Sequence, residues 1–165
     1  MRTSTVLLMV VVLVTALASS GFAGEVRKTL PGELTLEQAQ AVLKAAQAKA
    51  KAINVPMDIA IVDSGGNLKA FYRMDDAFIG SIDISIKKAV TSRYFNMPTR
   101  TLGELSQVGK PLYGIEVSNS GLIIFAGGLP LVDKNNAIVG AIGVSGGSVD
   151  EDESVAKEGA AVLLK

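Results

Sequence analysis

The sequence predicts an α+β domain, an antiparallel sheet with helices packed on it. Three observations carry this. Residues 57–74 read as two strands around Ser64-Gly65-Gly66-Asn67, a set that tolerates the positive φ of a tight hairpin turn. Residues 122–145 read as three more strands, with Gly127-Gly128 and Lys134-Asn135-Asn136 at the bends. Helical periodicity fills the space around them, over 35–53, 80–95 and 150–164. The order is helix, two strands, helix, irregular loop, three strands, helix.

Residues 1–23 have the pattern of a secretory signal. Arg2 gives a positive start and residues 6–18 are almost wholly apolar. Ala16-Leu17-Ala18 and Gly21-Phe22-Ala23 both place small residues where a signal peptidase reads. The run is short for a membrane span. The expected product is a periplasmic or secreted protein with an arm over 24–33 and one domain over 34–165, with no membrane insertion after cleavage. No cysteine follows the apolar run to carry a lipid.

The 165-residue chain has 16 basic and 16 acidic residues and no histidine, cysteine or tryptophan. The balanced charge and the absence of a basic stripe argue against nucleic acid. No disulfide supports the fold. Without histidine there is no Ser-His-Asp triad, no HExxH zinc site and no histidine-ligated haem.

The first helix begins at Thr35, where Thr35-Leu36-Glu37-Gln38 has capping-box spacing. Ala39, Val42, Leu43, Ala46, Ala50 and Ile53 form its apolar stripe, and Asn54-Val55-Pro56 ends it. The first strand is apolar on both faces through Ile59-Ala60-Ile61-Val62, as expected where both faces are covered. In the returning strand Leu68, Ala70, Tyr72 and Met74 alternate with Lys69, Phe71 and Arg73.

The second helix is unusual. Ile79, Ile82, Ile86, Ala89 and Val90 make one stripe, and Ile84, Lys88, Thr91 and Phe95 make another on the opposite side. A surface helix is polar there, so the second stripe faces another element, another subunit or a ligand. Residues 96–121 then have little regular pattern, with a short helical turn from Thr101 towards Val108. Tyr94, Met97, Arg100, Lys110 and Tyr113 lie in or beside this segment and are its groups best suited to meet a ligand.

Residues 122–126 read as a buried strand, 129–133 as an edge strand, and 137–145 as a long strand interrupted by Gly140 and Gly143. Gly140-Ala-Ile-Gly-Val-Ser-Gly-Gly147 is neither a Walker loop nor a dinucleotide fingerprint, and its small residues favour close packing. Asp150-Glu-Asp-Glu153 opens the last helix, where carboxylates cap free amides. Val155, Ala156, Gly159, Ala160 and Leu163 make its buried face.

Leu34-Thr-Leu-Glu-Gln-Ala39, Ala60-Ile-Val-Asp-Ser-Gly-Gly-Asn-Leu68, Phe71-Tyr-Arg-Met-Asp75, Ser81-Ile-Asp-Ile-Ser-Ile-Lys-Lys-Ala89, Gly127-Gly-Leu-Pro130 and Gly140–Gly147 follow one another in an order and spacing that resemble the GlcG/HbpS family. This is also called the haem-degrading domain and is related to the PduO C-terminal domain. The resemblance implies a profilin-like fold, a five-stranded antiparallel sheet with helices packed on both faces. It implies a homo-oligomer, often an octamer, which would cover the second stripe. It also implies haem as cofactor, with haem degradation, iron binding, or signalling to a membrane sensor kinase in some members.

PduO-type domains are linked to histidine ligation, and this chain has none. Under the resemblance, Thr91, Tyr94, Met97, Thr99 and Tyr113 are the candidate iron ligands by chemistry and position. Lys88, Arg93, Arg100 and Lys110 are the candidate partners of propionates, and Phe95 completes the candidate ligand surface. No catalytic or metal residue is assigned, and whether the chain is an enzyme stays open. The alternative is a small-ligand enzyme, or a binding or signalling oligomer of the same fold without haem.

Overall fold

The computed structural model describes residues 32–164. The signal segment and most of the 24–33 arm lie outside the described residues. Helix α1 (Leu36–Ala52) starts at the expected capping box: Gln38 N–H donates to Thr35 Oγ1 at 3.1 Å, and Thr35 N–H to Gln38 Oε1 at 2.9 Å. Its buried residues are Ala39, Val42, Leu43, Ala46 and Ala50.

Strands β1 (Asp58–Asp63) and β2 (Leu68–Arg73) form the first hairpin. Asp63 Oδ1 organises the turn by accepting from Gly65 N–H at 2.8 Å and Asn67 N–H at 2.9 Å. Helices α2 (Gly80–Phe95) and α3 (Thr99–Leu105) follow. Strands β3 (Gly128–Val132) and β4 (Ile138–Ser145) make a second hairpin, whose turn is held by Asp133 Oδ1 in the same way. Helix α4 (Val149–Ala160) has a capping box between Ser148 and Glu151, and the chain then tightens into a 3-10 turn over Ala161–Leu164.

The sheet is antiparallel throughout, in the order β2-β1-β4-β3. Alternation along the strands gives it two different faces. Ile59, Ile61, Leu129, Leu131, Ile142 and Val144 meet α1 and α4 in the main core. Ala60, Val62 and Ala141 face α2 with Ala89 in a smaller one. Helices therefore cover both faces. Among the described residues no helix is long and apolar enough to cross a membrane.

Three expectations change. The described residues form four strands, not five. Residues 122–126 are irregular, because their backbone finds partners on helices. Ile123 N–H donates to Thr91 Oγ1 at 3.0 Å, and the Phe125 carbonyl accepts from Thr99 Oγ1 at 2.7 Å. An apolar run signals burial but not the partner that satisfies its amides.

Helix α2 is also turned from its expected orientation. Its buried residues are Ser81, Ser85, Lys88, Ala89, Thr91 and Ser92, while Ile79 is 76% exposed and Ile82, Ile86 and Val90 are half-buried. The helix lies too close to the sheet for branched side chains. A Cβ built on Gly143 would come 2.0 Å from the Ser85 carbonyl, and one on Gly128 2.5 Å from the Lys88 carbonyl. Small residues face inward and the isoleucines are displaced to the flanks and outside. The short helix α3 likewise begins at Thr99, earlier than its expected start, because Pro98 sets its entry.

Candidate functional site

Lys88 lies on α2 with its side chain fully buried. Its Nζ donates to Asp152 Oδ2 of α4 at 2.6 Å and to the Val144 carbonyl of β4 at 2.8 Å, and lies 4.9 Å from the centre of the Phe125 ring. Two of its three protons are thus used in hydrogen bonds, and the charge also meets an aromatic face. The other Asp152 oxygen accepts from Gly147 N–H at 3.0 Å. Burial pulls the Lys88 pKa down and pushes the Asp152 pKa up, and each charge opposes the shift of the other. The pair joins helices from opposite faces of the sheet. The chain passes it at Gly127, φ 120°, where a Cβ would come within 2.7 Å of Nζ and 2.6 Å of the Val144 carbonyl.

Thr91 and Thr99 extend this arrangement. Besides its bond to the Phe125 carbonyl, Thr99 Oγ1 accepts from Gly128 N–H at 3.0 Å. Lys88, Thr91 and Thr99 therefore hold residues 123–128 as a ledge against α2 and α3. A Cβ on Gly103 would approach the Ile124 carbonyl to 1.9 Å, so α3 needs glycine there to lie against the ledge. The outer side of the ledge carries Phe125, 41% exposed, and a shallow cavity of about 230 Å³ lined by Arg100, Gly103, Glu104, Gln107, Phe125 and Val149.

The predicted residues separate into groups. Lys88, Thr91 and Thr99 are enclosed and shape the ledge from behind. Arg100 reaches the cavity rim, where it binds Glu153 Oε2 at 2.8 Å and Asp150, so its charge is largely matched within the chain. Tyr113 is 66% exposed on the loop after α3, which folds back through a Leu112 N–H to Leu105 carbonyl bond of 3.0 Å. Phe95 and Met97 are half-buried. Tyr94 lies apart, against Gly66 of the first hairpin turn, where a Cβ would sit 2.5 Å from its ring.

Sequence reasoning missed Phe125 and Asp152. Asp152 had a signal: it falls three and four residues before Val155 and Ala156, on the buried stripe of its helix. The other acidic residues of that turn have different tasks. Glu151 caps the helix, and Asp150 and Glu153 hold Arg100. Among the described residues no group of three or more acidic, histidine or cysteine side chains could hold a metal ion.

The family described as haem degrading protein, HbpS-like, matches residues 34–161. The chain belongs to this family. It is 42% identical over 125 residues to a 15.0 kDa protein of the dhaT-dhaS intergenic region of Citrobacter freundii, covering 75% of this chain and 87% of that protein. The crystal structure of a PduOC:haem complex superposes with a TM-score of 0.74 at 30% identity, over 79% of this chain and 94% of the other. The crystal structure of a double mutant of HbpS from Streptomyces reticuli superposes with a TM-score of 0.71 at 35% identity, over 85% of this chain and 92% of the other.

Proposed function

We propose that this member of the HbpS-like family binds haem on the outer side of the ledge at Phe125. The observation that carries the reading is the family match together with its likeness to a domain solved as a haem complex. The residues fit one face of such a ligand by their chemistry. Phe125, Val149 and Leu105 offer exposed apolar surface. The exposed Lys110 offers a donor to carboxylates, and Gln107 a second amide proton beyond the one it gives to the Gly103 carbonyl at 2.7 Å. Iron has no histidine or cysteine to meet, and Thr91 and Thr99 have their hydroxyls engaged within the chain. Tyr94 lies apart at the first hairpin turn and Met97 is half-buried, so the exposed phenol of Tyr113, on the loop after α3, is the ligand of choice, as phenolate. The cavity is smaller than the roughly 300–1,000 Å³ usual for small-molecule sites, so one chain covers only part of the ligand.

A haem titration of the mature protein, followed at the Soret band with light scattering on the same sample, tests this. Saturable binding is expected. Phe125→Ala should weaken it about tenfold, the value of one lost aromatic stacking contact. Tyr113→Phe should remove the phenolate signature of the iron. A flat titration of an intact, folded protein would refute the reading. Haem degradation would appear as loss of the bound Soret band after a reductant and oxygen are added.

Self-association belongs to the same proposal. Phe78 is 70% exposed and Ile79 76%, at the start of α2 beside half-buried Ile82, while Ile86 and Val90 further along pack against the smaller core. Such a face is expected to meet a second copy, in a closed assembly such as an octamer. Phe78→Asp with Ile79→Asp should lower the mass seen by light scattering without unfolding the chain. Export rests on the 1–23 signal pattern and is checked by a secreted protein beginning at Gly24. A role in signalling to a membrane sensor kinase would be read as ligand-dependent binding to that kinase.

A further inference from the structure

Asp58 is the first residue of β1 and is fully buried, yet neither of its carboxylate oxygens has a hydrogen-bond partner. A buried carboxylate left this way is costly, and folds resolve it by supplying a proton, a donor or a cation. Its surroundings are specific. Across the β1–β4 ladder Asp58 pairs with Ser145, which places the two side chains on one face with Cβ atoms about 5 Å apart. Ser145 Oγ donates to Ser81 Oγ, in the first turn of α2, at 3.1 Å, and both serines are buried. On the other side Asp58 pairs with Arg73, whose guanidinium donates to the Ala77 carbonyl at 3.3 Å. Ser85, one turn further along α2, spends its hydroxyl on the Ile82 carbonyl.

We propose that Asp58, Ser145 and Ser81 form a binding site for a monovalent hard cation of the sodium class. Oxygens that share a cation stand further apart than oxygens that share a proton, and this fits a carboxylate placed beside two hydroxyls yet bonded to neither. All three donors are hard oxygens, which exclude the softer transition metals. One carboxylate balances one positive charge. Calcium takes six to eight oxygens and usually several carboxylates, and magnesium keeps most of its water, so neither suits a dry site with a single acid. The positive first turn of α2 and Arg73, whose charge already acts on Asp58, oppose any cation, and a divalent ion twice as strongly as sodium. The site is separate from the ledge at Phe125 and does not depend on haem.

Thermal unfolding of the mature protein in sodium chloride and in tetramethylammonium chloride, at equal ionic strength, tests the site. Tm is expected to rise saturably with sodium, by about 4 °C once sodium exceeds its dissociation constant roughly tenfold. Sodium-23 line broadening by the wild type should disappear in Asp58→Asn. That variant should show no sodium dependence, and in tetramethylammonium alone it should be at least as stable as the wild type, because it removes a buried carboxylate that has no hydrogen-bond partner. Ser145→Ala, a small change that keeps the fold, should reduce the sodium shift and decides the matter should Asp58→Asn not fold. Equal wild-type Tm values in the two salts would overturn the proposal, and would mean that a proton, a water or Arg73 satisfies Asp58. Sodium dependence surviving in Asp58→Asn and Ser145→Ala would overturn it equally.

Discussion

Changing Lys88 to methionine is expected to cost about 3–5 kcal/mol of folding stability, the usual penalty for removing one partner of a buried ion pair. Methionine keeps the length and much of the volume of the lysine stem, so little of the loss is cavity formation. The loss comes from what is left behind. Asp152 Oδ2 and the Val144 carbonyl lose a donor at 2.6 and 2.8 Å in a region closed to water. Urea unfolding at neutral pH measures the difference, and an unchanged slope with a lowered midpoint marks it as a stability effect. Removing both charges, as in Lys88→Met with Asp152→Leu, should recover most of the loss, since an apolar pair of similar volume needs no donor.

The single change also has a pH signature. Burial already raises the Asp152 pKa, and without Lys88 the largest opposing influence is gone. A carboxyl whose folded-state pKa lies above its unfolded value holds its proton more tightly when folded. Its contribution is fully present below the unfolded pKa and is lost as pH rises through the folded one. Lys88→Met should therefore fall short of the wild type by less near pH 4 than near pH 7. A deficit under about 1 kcal/mol at both pH values, the level of a solvated surface pair, would show that the pair does not tie α2 to α4.

Lys88 also marks where sequence information stops. The outer parts of the fold were legible because their signals are local. Thr35 and Gln38 name a helix start, and Ser64-Gly65-Gly66-Asn67 names a turn, whatever packs against them. Helix α2 was misread in part: Ala89 is buried in the smaller core and Ile86 and Val90 pack against it, but Ile79 is exposed, because the helix's orientation depends on another segment. Seen alone, Ile79, Ile82, Ile86 and Val90 are an inward stripe. In the fold, Gly128 and Gly143 bring the sheet so near that serine, threonine and alanine take the inward positions and a lysine reaches past the sheet to an acid 64 residues away. Residues 122–126 were misread for a related reason, since their amide and carbonyl groups are met by Thr91 and Thr99. Of the residues that shape the ledge, Lys88, Thr91 and Thr99 were singled out in the sequence, whereas Phe125 and Asp152 were not. Phe125 reads as the end of a buried strand until the strand is seen to be a ledge.

Gly143→Ala tests the close approach that turns α2, and its expected cost is about 3 kcal/mol, the upper part of the range for overpacking. The added methyl group would lie 2.0 Å from the Ser85 carbonyl and 2.5 Å from the Ala89 nitrogen. Both are backbone atoms, so no side-chain rotation relieves the clash and the helix must lift from β4. Gly80→Ala is the control. It lies on the same helix, a Cβ there meets nothing within 4 Å, and it should leave stability unchanged or raise it by up to about 1 kcal/mol. Lifting α2 would also draw Lys88 away from the carbonyl of Val144, the residue next to Gly143, so the two sites are coupled through one rigid contact. Gly143→Ala combined with Lys88→Met should therefore cost less than the two losses added, by about 1 kcal/mol, as expected of neighbours that share a partner. Strict additivity would mean that the helix yields locally at Ser85 and keeps its lysine seated, and the tight approach would then be a packing detail rather than the feature that sets which face of α2 looks outward.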